Sequence, residues 1–171
     1  IVIVDDFSND KSYDLLMNKY SDTFIKILKT PKNSGYGAAN NIGLKYSLHQ
    51  DNCDYLWILN NDVIIFPDTL GKLIEADCKS KEFTIWGNKV LNVNGTIQSL
   101  GGILNSTFMT TKHNSANSID AKSKIKIDKI DYIHGCSIFF SIKTFKINGY
   151  FSEEFFLYYE DVDYSLRALK N

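Results

Sequence analysis

The sequence predicts an α/β fold in which helices flank a mainly parallel sheet. Three observations support this prediction: strand-like apolar runs alternate with amphipathic helical stretches in the first half of the chain, short loops connect them, and the chain opens with the β-branched run Ile1–Val4. A β-branched run suits a strand buried on both faces, and strand–helix–strand repetition implies right-handed crossovers between parallel neighbours. Because 171 residues are enough to bury one core, we expect a single domain over residues 1–171.

The first half of the chain carries its strands and helices in regular alternation. Apolar residues three and four positions apart mark the helical faces, and Gly, Pro, Asn and Asp mark the turns. The predicted order is a strand at Ile1–Val4, a helix with Tyr13, Leu16 and Tyr20 on one side, a strand at Phe24–Leu28, a loop at Pro31–Gly37, a helix with Ala39, Ile42, Gly43 and Tyr46 on one face, a strand at Tyr55–Leu59, and a helix after Pro67 with Leu70, Leu73 and Ile74 inward.

From about residue 83 the pattern changes to shorter strands and a final helix. Asn-Gly and Gly-Gly turns separate the strands, and a polar stretch indicates an exposed loop. Asp163 and Arg167 are spaced for an ion pair on the last helix. The predicted order is strands at Phe83–Val90, Ile97–Leu104 and Thr107–Lys112, a loop at His113–Lys124, a strand at Ile130–Ser141 that Gly135 interrupts, and a helix from Glu160 with Val162, Leu166 and Leu169 on one face.

The composition excludes several classes of protein. Apolar residues make up 44% and charged residues 23% of the chain, which is ordinary for a globular domain. A formal net charge of −1 gives no electrostatic footprint for a nucleic acid. No apolar run approaches the roughly 20 residues that a transmembrane helix needs. Cys53, Cys78 and Cys136 are scattered, so we expect reduced thiols and neither disulfides nor a zinc site.

Acidic side chains follow two predicted strands and open the last helix. Asp5 and Asp6 end the first strand, Asp62 follows the strand at Tyr55–Leu59, and Asp161 lies in the first turn of the helix, where the macrodipole favours ionised acids. Ligands of open α/β sheets bind beyond the carboxyl ends of the strands, so we expect Asp5, Asp62 and Asp161 to line one cleft. Each position alone is also explained by turn formation or by a charged helix start.

A glycine-rich stretch at Asn33–Gly43 precedes and enters the second predicted helix. Glycines at a helix start let backbone amides approach a phosphate or a base closely. Small residues here could equally serve tight packing of the helix on the sheet. The spacing differs from the G-x-G-x-x-G fingerprint of dinucleotide-binding folds. Taken alone, the stretch favours the packing explanation, and the explanation through a bound phosphate or base stays open.

Taken in order, these motifs resemble the family 2 glycosyltransferases of the GT-A fold, in particular the bacterial rhamnosyltransferase-like branch that builds surface polysaccharide. The matching stretches are IVDDFSND at Ile3–Asp10, the glycine-rich stretch at Asn33–Gly43, LNNDV at Leu59–Val63 as a variant DxD motif, Gly135-Cys136, and FSEEFF with EDVD and Arg167 at Phe151–Arg167. The resemblance implies a GT-A Rossmann-like, mixed and mainly parallel sheet. Its nucleotide-binding half would cover about residues 1–90 and its acceptor-side half about 91–171.

Members of that family usually begin with an earlier strand and continue further than this chain. The resemblance therefore implies truncation at both ends, and we expect the full-length parent to be the active enzyme.

The resemblance also implies a role for each matching residue in an inverting transfer of a sugar. Asp161 would be the general base that takes the proton of the acceptor hydroxyl, and Asp62 would bind Mg²⁺ or Mn²⁺. The implied nucleotide contacts are Asp5, Asp6, Asn33, Gly37, Asn60 and Asp62, and the implied acceptor-side residues are Glu160, Gly135 and His134. Asn60 replaces the first carboxylate of the DxD motif, which should weaken metal binding. For His134, a packed strand histidine is the competing explanation.

The implied partners are a nucleotide-sugar donor, a UDP- or dTDP-sugar with rhamnose as one candidate, and a glycan or lipid-linked glycan acceptor. The implied location is cytoplasmic, with peripheral attachment to the inner membrane face. Two alternatives stay open. A nucleotidyltransferase should carry a Gly-rich loop with Arg or Lys where this chain has Asp5 and Asp6, and a non-catalytic glycan- or protein-binding domain of the same fold would tolerate Asn60.

Overall fold

The computed structural model describes residues 1–20, 23–80, 82, 84–119 and 129–170. The chain forms two compact units. The first comprises Ile1–Asp54 and Tyr150–Glu160, and the second comprises Tyr55–Gly149 and Asp161–Asn171. Helices and strands both contribute, so the predicted mixed α/β class is confirmed. The organisation as one domain stays a prediction. Across the described ranges, no helix combines the length and the apolarity that crossing a membrane requires.

The first unit contains a parallel strand pair and two helices. Its elements are β1 (Val2–Asp5), α1 (Ser12–Tyr20), β2 (Lys26–Lys29) and α2 (Tyr36–Leu48). Strands β1 and β2 run parallel, with Val2 opposite Lys26 and Asp5 opposite Lys29. Helix α2 packs against β1, and a Cβ atom on Gly43 would lie 3.1 Å from Cγ2 of Val4. A small residue at this position therefore permits the close approach of helix and strand.

Asn41 of α2 holds the returning segment 151–153 of the same unit. Its side chain is buried, and its Nδ2 donates to the carbonyl oxygen of Phe151 at 3.0 Å and to Oε1 of Glu153 at 2.9 Å. Its Oδ1 accepts from the backbone N–H of Phe151 at 3.0 Å. The amide thus bonds to both backbone groups of one residue, which a buried side chain of another shape could not do.

Two glycines at the start of α2 lie against the same segment. A Cβ atom on Gly35 would fall 2.0 Å from the carbonyl oxygen of Phe156, and one on Gly37 would fall 3.0 Å from that of Ser152. Gly35 also has a φ of 85°, which L-residues rarely adopt. The glycine-rich stretch is therefore required for packing, the second of the two explanations that the sequence left open.

The second unit is built around a three-stranded antiparallel sheet. Its elements are β3 (Tyr55–Leu59), α3 (Thr69–Lys79), β4 (Ile85–Gly87), β5 (Val90–Leu91), β6 (Ile97–Ser99), β7 (Gly102–Asn105), β8 (Thr110–His113), β9 (Ser137–Ser141), α4 (Ile142–Asn148) and α5 (Glu160–Ala168), of which only Glu160 belongs to the first unit. Strand β9 lies between β3 and β4. Phe140 of β9 is fully buried and contacts the rings of Phe145 on α4 and Tyr164 on α5. Burial of such a side chain stabilises the fold by about 2–3 kcal/mol.

The mainly parallel pairing is the part of the fold prediction that differs from the structure. Among the strands of the described residues, only β1 and β2 pair in parallel, while β3–β9, β4–β9, β5–β6 and β7–β8 are antiparallel. Parallel neighbours need a long crossover, usually a helix, whereas the described residues 129–136 that lead into β9 contain no helix.

Several element boundaries also differ from the sequence predictions. Gly101, with a φ of 77°, divides the predicted strand Ile97–Leu104 into β6 and β7. The predicted strand Ile130–Ser141 is strand only over β9. Phe83 and residues 120–124, which two predicted elements include, lie outside the described residues.

The helix predictions were right about most positions and wrong about some faces. Helix α4 was not predicted, because seven residues give too little periodicity. Leu70 and Leu169 are exposed, whereas Tyr164 of α5 is completely buried. The predicted ion pair between Asp163 and Arg167 is confirmed at 2.9 Å.

The hydrogen bonds of the Asn41 side chain predict a large loss of stability when that side chain is replaced by a methyl group. Replacing Asn41 by Ala should lower the free energy of unfolding by about 2–3 kcal/mol, since Phe151 loses a partner for both its N–H and its carbonyl. Urea denaturation followed by circular dichroism measures this loss. The matched control is Asn40→Ala, because the side chain of Asn40 bonds to the carbonyl of Tyr36 within its own helix, and its loss should cost well under about 1 kcal/mol. Equal losses in the two variants would contradict the assignment.

Candidate functional site

A cavity of about 490 Å³ lies at the carboxyl end of β1 in the first unit. Its walls are formed by Asp6, Phe7, Ser8, Asn9, Asp10 and Asn33. The volume falls within the range of about 300–1,000 Å³ that small-molecule sites occupy. Asp6 and Asn33, two of the residues predicted to contact a nucleotide, thus line one cavity.

The carboxylate of Asp6 joins three parts of the first unit. It accepts from Oγ1 of Thr30 at 2.9 Å, from the amide of Ser34 at 3.1 Å and from the amide of Gly35 at 2.9 Å. These donors lie just beyond β2 and just before α2. Charge-assisted hydrogen bonds of this kind are stronger than neutral ones, so Asp6 fixes the edge of the cavity.

Asp5 is buried and shapes the turn that forms the cavity wall. Its Oδ1 accepts from the amide of Ser8 at 3.0 Å, and its carbonyl accepts from the amide of Thr30 at 2.9 Å. Gly37 is buried against Ser152, and a Cβ atom on it would also lie 3.7 Å from Cβ of the buried Glu160. Asp5, Gly37 and Glu160 therefore have local packing roles, and their contacts with substrates stay predictions.

In the second unit, the register of β3 and β9 brings two of the sequence motifs together. Leu59 pairs with Ser137, and the amide of Asn60 then donates to the carbonyl of Cys136 at 3.1 Å. Burial raises the pKa of the Cys136 thiol to about 11, and the charges of Asp62 and Asp161 add to the rise. The thiol is therefore protonated at neutral pH, and both carboxylates lie near enough to act on it.

Asp161 is held at the first turn of α5 by the backbone that precedes β9. Its Oδ2 accepts from the amide of Gly135 at 2.8 Å, and its Oδ1 accepts from the amide of Val162 at 2.8 Å. A Cβ atom on Gly135 would lie 3.2 Å from Oδ2 of Asp161, a tight contact that glycine avoids. The two amides therefore hold the carboxylate in a fixed orientation at the helix terminus.

His134 and His113 form a pair that the sequence did not reveal. Their ring centroids are 4.9 Å apart, and Nδ1 of His134 accepts from the amide of Cys136 at 3.1 Å. Burial lowers the pKa of His134, His113 lowers it further, and Asp161 opposes the shift. Gly102 pairs with His113 on one side and with Tyr132 on the other. This pairing brings His113 close to the segment that contains Tyr132 and, two residues later, His134. No spacing rule connects the two histidines, so only the strand pairing could show their contact.

In the second unit, Asp62 and Asn60 could supply oxygen ligands to a metal ion, but the described residues do not form a complete metal site. Within the described ranges, no three His, Cys, Asp or Glu side chains are grouped closely enough to hold a metal ion. Asp62 is exposed, and the half-buried Asn60 adds an amide oxygen. Mg²⁺ is commonly held by one or two carboxylates together with substrate phosphates and water. This donor set therefore fits a cation that a phosphorylated substrate shares.

Comparison with known proteins agrees with the mixed α/β fold. The family model described as Glycosyl transferase family 2 matches residues 1–142. A low-salt glycan biosynthesis hexosyltransferase of Haloferax volcanii is 27% identical over 98% of this chain and 52% of its own length. An uncharacterized glycosyltransferase of Haemophilus influenzae is 37% identical over 42% of this chain and 28% of its own length. The chain thus spans about half the length of the first of these relatives and less of the second.

The lowered pKa of His134 predicts a pH dependence of stability. Since the folded state disfavours the charged ring, the unfolded state binds more protons below the ordinary pKa of 6.5. The contribution is fully present above that pH and is lost as the pH falls toward the lowered folded pKa. Urea denaturation between about pH 7.5 and about pH 5.5 should show a smaller loss for His134→Asn than for the unsubstituted protein.

An asparagine at position 134 keeps an acceptor for the Cys136 amide, so the substitution removes the titration and retains the bond. His49→Asn is the matched control, because His49 is exposed at the end of α2. An unchanged pH dependence in His134→Asn would contradict the prediction.

Proposed function

This chain belongs to glycosyl transferase family 2, and from that membership we propose that it moves a sugar from a nucleotide-diphosphate donor to a hydroxyl group of a growing glycan, with inversion. The observation that carries the proposal is the fixed carboxylate of Asp161, bonded to the Gly135 amide at 2.8 Å. The same unit brings Asn60 against Cys136, so the motif containing Asp62 neighbours the motif containing Gly135. This arrangement supports acid–base chemistry and metal binding in one unit.

In the proposed reaction, Asp161 is the general base. The acceptor oxygen attacks the anomeric carbon, its proton passes to a carboxylate oxygen of Asp161, and the bond from that carbon to the diphosphate breaks with its electrons. One displacement from the opposite side inverts the anomeric centre. Gly135 would position Asp161, His134 would lie beside the acceptor, and Glu160 would orient the start of the helix.

Asp62 and Asn60 are proposed to hold Mg²⁺ or Mn²⁺ together with the diphosphate of the donor. A bound divalent cation would stabilise the negative charge on the departing diphosphate. The exposure of Asp62 supports this role, since a shared cation needs a ligand that substrate can reach.

The cavity at the end of β1 is proposed to take the nucleotide of the donor, through Asp5, Asp6, Asn33 and Gly37. Its volume and its hydrogen-bonding wall support the assignment. The resemblance of the motifs to the rhamnosyltransferase-like branch supports a UDP- or dTDP-sugar, with rhamnose as one candidate. The same resemblance underlies the proposed lipid-linked acceptor, the role in surface polysaccharide, and the peripheral attachment at the inner membrane face.

One observation favours a second candidate, a non-catalytic glycan-binding domain. Asn60 stands where a DxD motif has its first carboxylate, and one charge fewer weakens the attraction for a cation. Substitution of the proposed base separates the two candidates, since a binding domain has no use for a base.

Asp161→Asn should reduce sugar transfer at least about 100-fold in the full-length protein, because the amide cannot accept the proton. Nucleotide binding, measured by calorimetric titration with UDP and Mn²⁺, should be retained. The matched control is Asp163→Asn on the same helix, which breaks only the partly exposed pair with Arg167 and should leave the rate within about twofold. Unchanged function in Asp161→Asn would support the binding domain instead.

Asp62→Asn should raise the Mn²⁺ concentration needed for half-maximal transfer by at least about tenfold, since a direct ligand loses its charge. Transfer measured across a Mn²⁺ series after treatment with a chelator tests this. The control is Asp68→Asn, because Asp68 is exposed and pairs with Lys72 on α3. The same Mn²⁺ requirement in both variants would exclude Asp62 as a ligand.

A further inference from the structure

Phe7 combines two unusual properties at the wall of the cavity. Its φ is 58°, in the left-handed region, and its side chain is 49% exposed. For a bulky residue this backbone conformation costs about 1–2 kcal/mol. Glycine would adopt it without that cost. The structure thus carries both a strained backbone and an exposed aromatic ring at one position.

The strain is imposed by the turn that closes the cavity. Oδ1 of Asp5 accepts a hydrogen bond from the amide of Ser8 at 3.0 Å. This bond closes the turn that contains Phe7 and fixes the path of its backbone. The ring of Phe7 is also held in place, because Nζ of Lys29 lies 5.7 Å from its centroid and 4.8 Å from that of Tyr13. A cation over aromatic rings is a favourable contact that limits their motion. Phe7 is therefore a fixed wall of the cavity.

The chemistry of the cavity favours one part of a nucleotide over another. Its lining includes the carboxylates of Asp6 and Asp10, the polar residues Ser8 and Asn9, and the ring of Phe7, and the cation Lys29 lies over that ring without being part of the lining. Two carboxylates repel a diphosphate. Asp6 already accepts from Thr30, Ser34 and Gly35, so Asp10 and the polar side chains of the lining are the acceptors for groups that donate hydrogen bonds, such as the N–H of a base and the hydroxyls of a ribose. The aromatic ring offers a flat face for stacking.

We propose that Phe7 is the stacking residue of this cavity, on whose ring the base of the nucleotide lies while the acidic wall accepts hydrogen bonds from the nucleoside. The proposal rests on the proposed function and adds a binding residue to it. It also explains why a strained aromatic residue occupies a turn that glycine would form more easily, since strain of this kind concentrates at ligand-binding positions.

The test is calorimetric titration of the full-length protein with UDP and, separately, with ribose 5-phosphate, which lacks the base. Phe7→Gly and Phe7→Leu should weaken UDP binding about 5- to 100-fold, the range expected when one stacking ring is lost. Phe7→Tyr should bind UDP within about threefold of the unsubstituted protein, because it keeps the ring. Binding of ribose 5-phosphate should be the same in all four proteins.

Thermal unfolding adds a readout that separates stacking from structure. Phe7→Gly should unfold at the same or a higher temperature than the unsubstituted protein, because it relieves the left-handed strain. Phe7→Leu keeps the strain and an apolar side chain, so a loss of UDP binding in this variant identifies the ring as the cause. If Phe7→Gly does not fold, the comparison of Phe7→Leu with Phe7→Tyr decides.

Three negative results have different meanings. UDP binding that is unaffected by Phe7→Gly and Phe7→Leu overturns the stacking role and leaves the proposed function standing. Failure of the unsubstituted protein to bind UDP, dTDP or GDP overturns both. Equal weakening of UDP and ribose 5-phosphate would also reject stacking, because it would indicate a general disturbance of the cavity.

Discussion

The close approach of α2 to the segment 151–156 is the constraint on which the first unit depends. Gly35 and Gly37 bring the helix start to within backbone contact of that segment, and Asn41 bonds to both backbone groups of Phe151. The segment follows α2 by about a hundred residues, so ordering it costs chain entropy that local contacts cannot offset. Because Asp6 bonds to the amide of Gly35, the same contact also fixes one edge of the cavity.

In the second unit, the position of β9 between β3 and β4 has the corresponding role. The strand is almost completely buried, and its pairing with β3 places Asn60 beside Cys136. The residues just before it then turn so that the Gly135 amide meets Asp161. A one-residue shift of this register would turn the buried side chains of β9 to the opposite face, so the sheet specifies the site as strongly as it specifies the core.

The sequence predicted local features well and long-range ones poorly. Strand β3 was predicted with its observed bounds, because an uninterrupted apolar run between polar residues leaves little choice. The packing of the glycine-rich stretch was left open, since the same small residues serve a phosphate or a neighbouring backbone. The contact of His113 with His134 and the bond from Gly135 to Asp161 join residues far apart in the chain. Hydrophobic periodicity carries no information about such contacts.

The pair formed by His113 and His134 determines whether a positive charge lies near Asp161. Burial lowers the pKa of His134, and the neighbouring ring of His113 lowers it further, so His134 is neutral at neutral pH. A neutral ring beside Asp161 leaves the negative charge of the carboxylate without an imidazolium partner. Cys136 is likewise protonated, with its pKa raised to about 11. The carboxylate therefore lies near a neutral ring and a neutral thiol, and the amides of Gly135 and Val162 hold it in place.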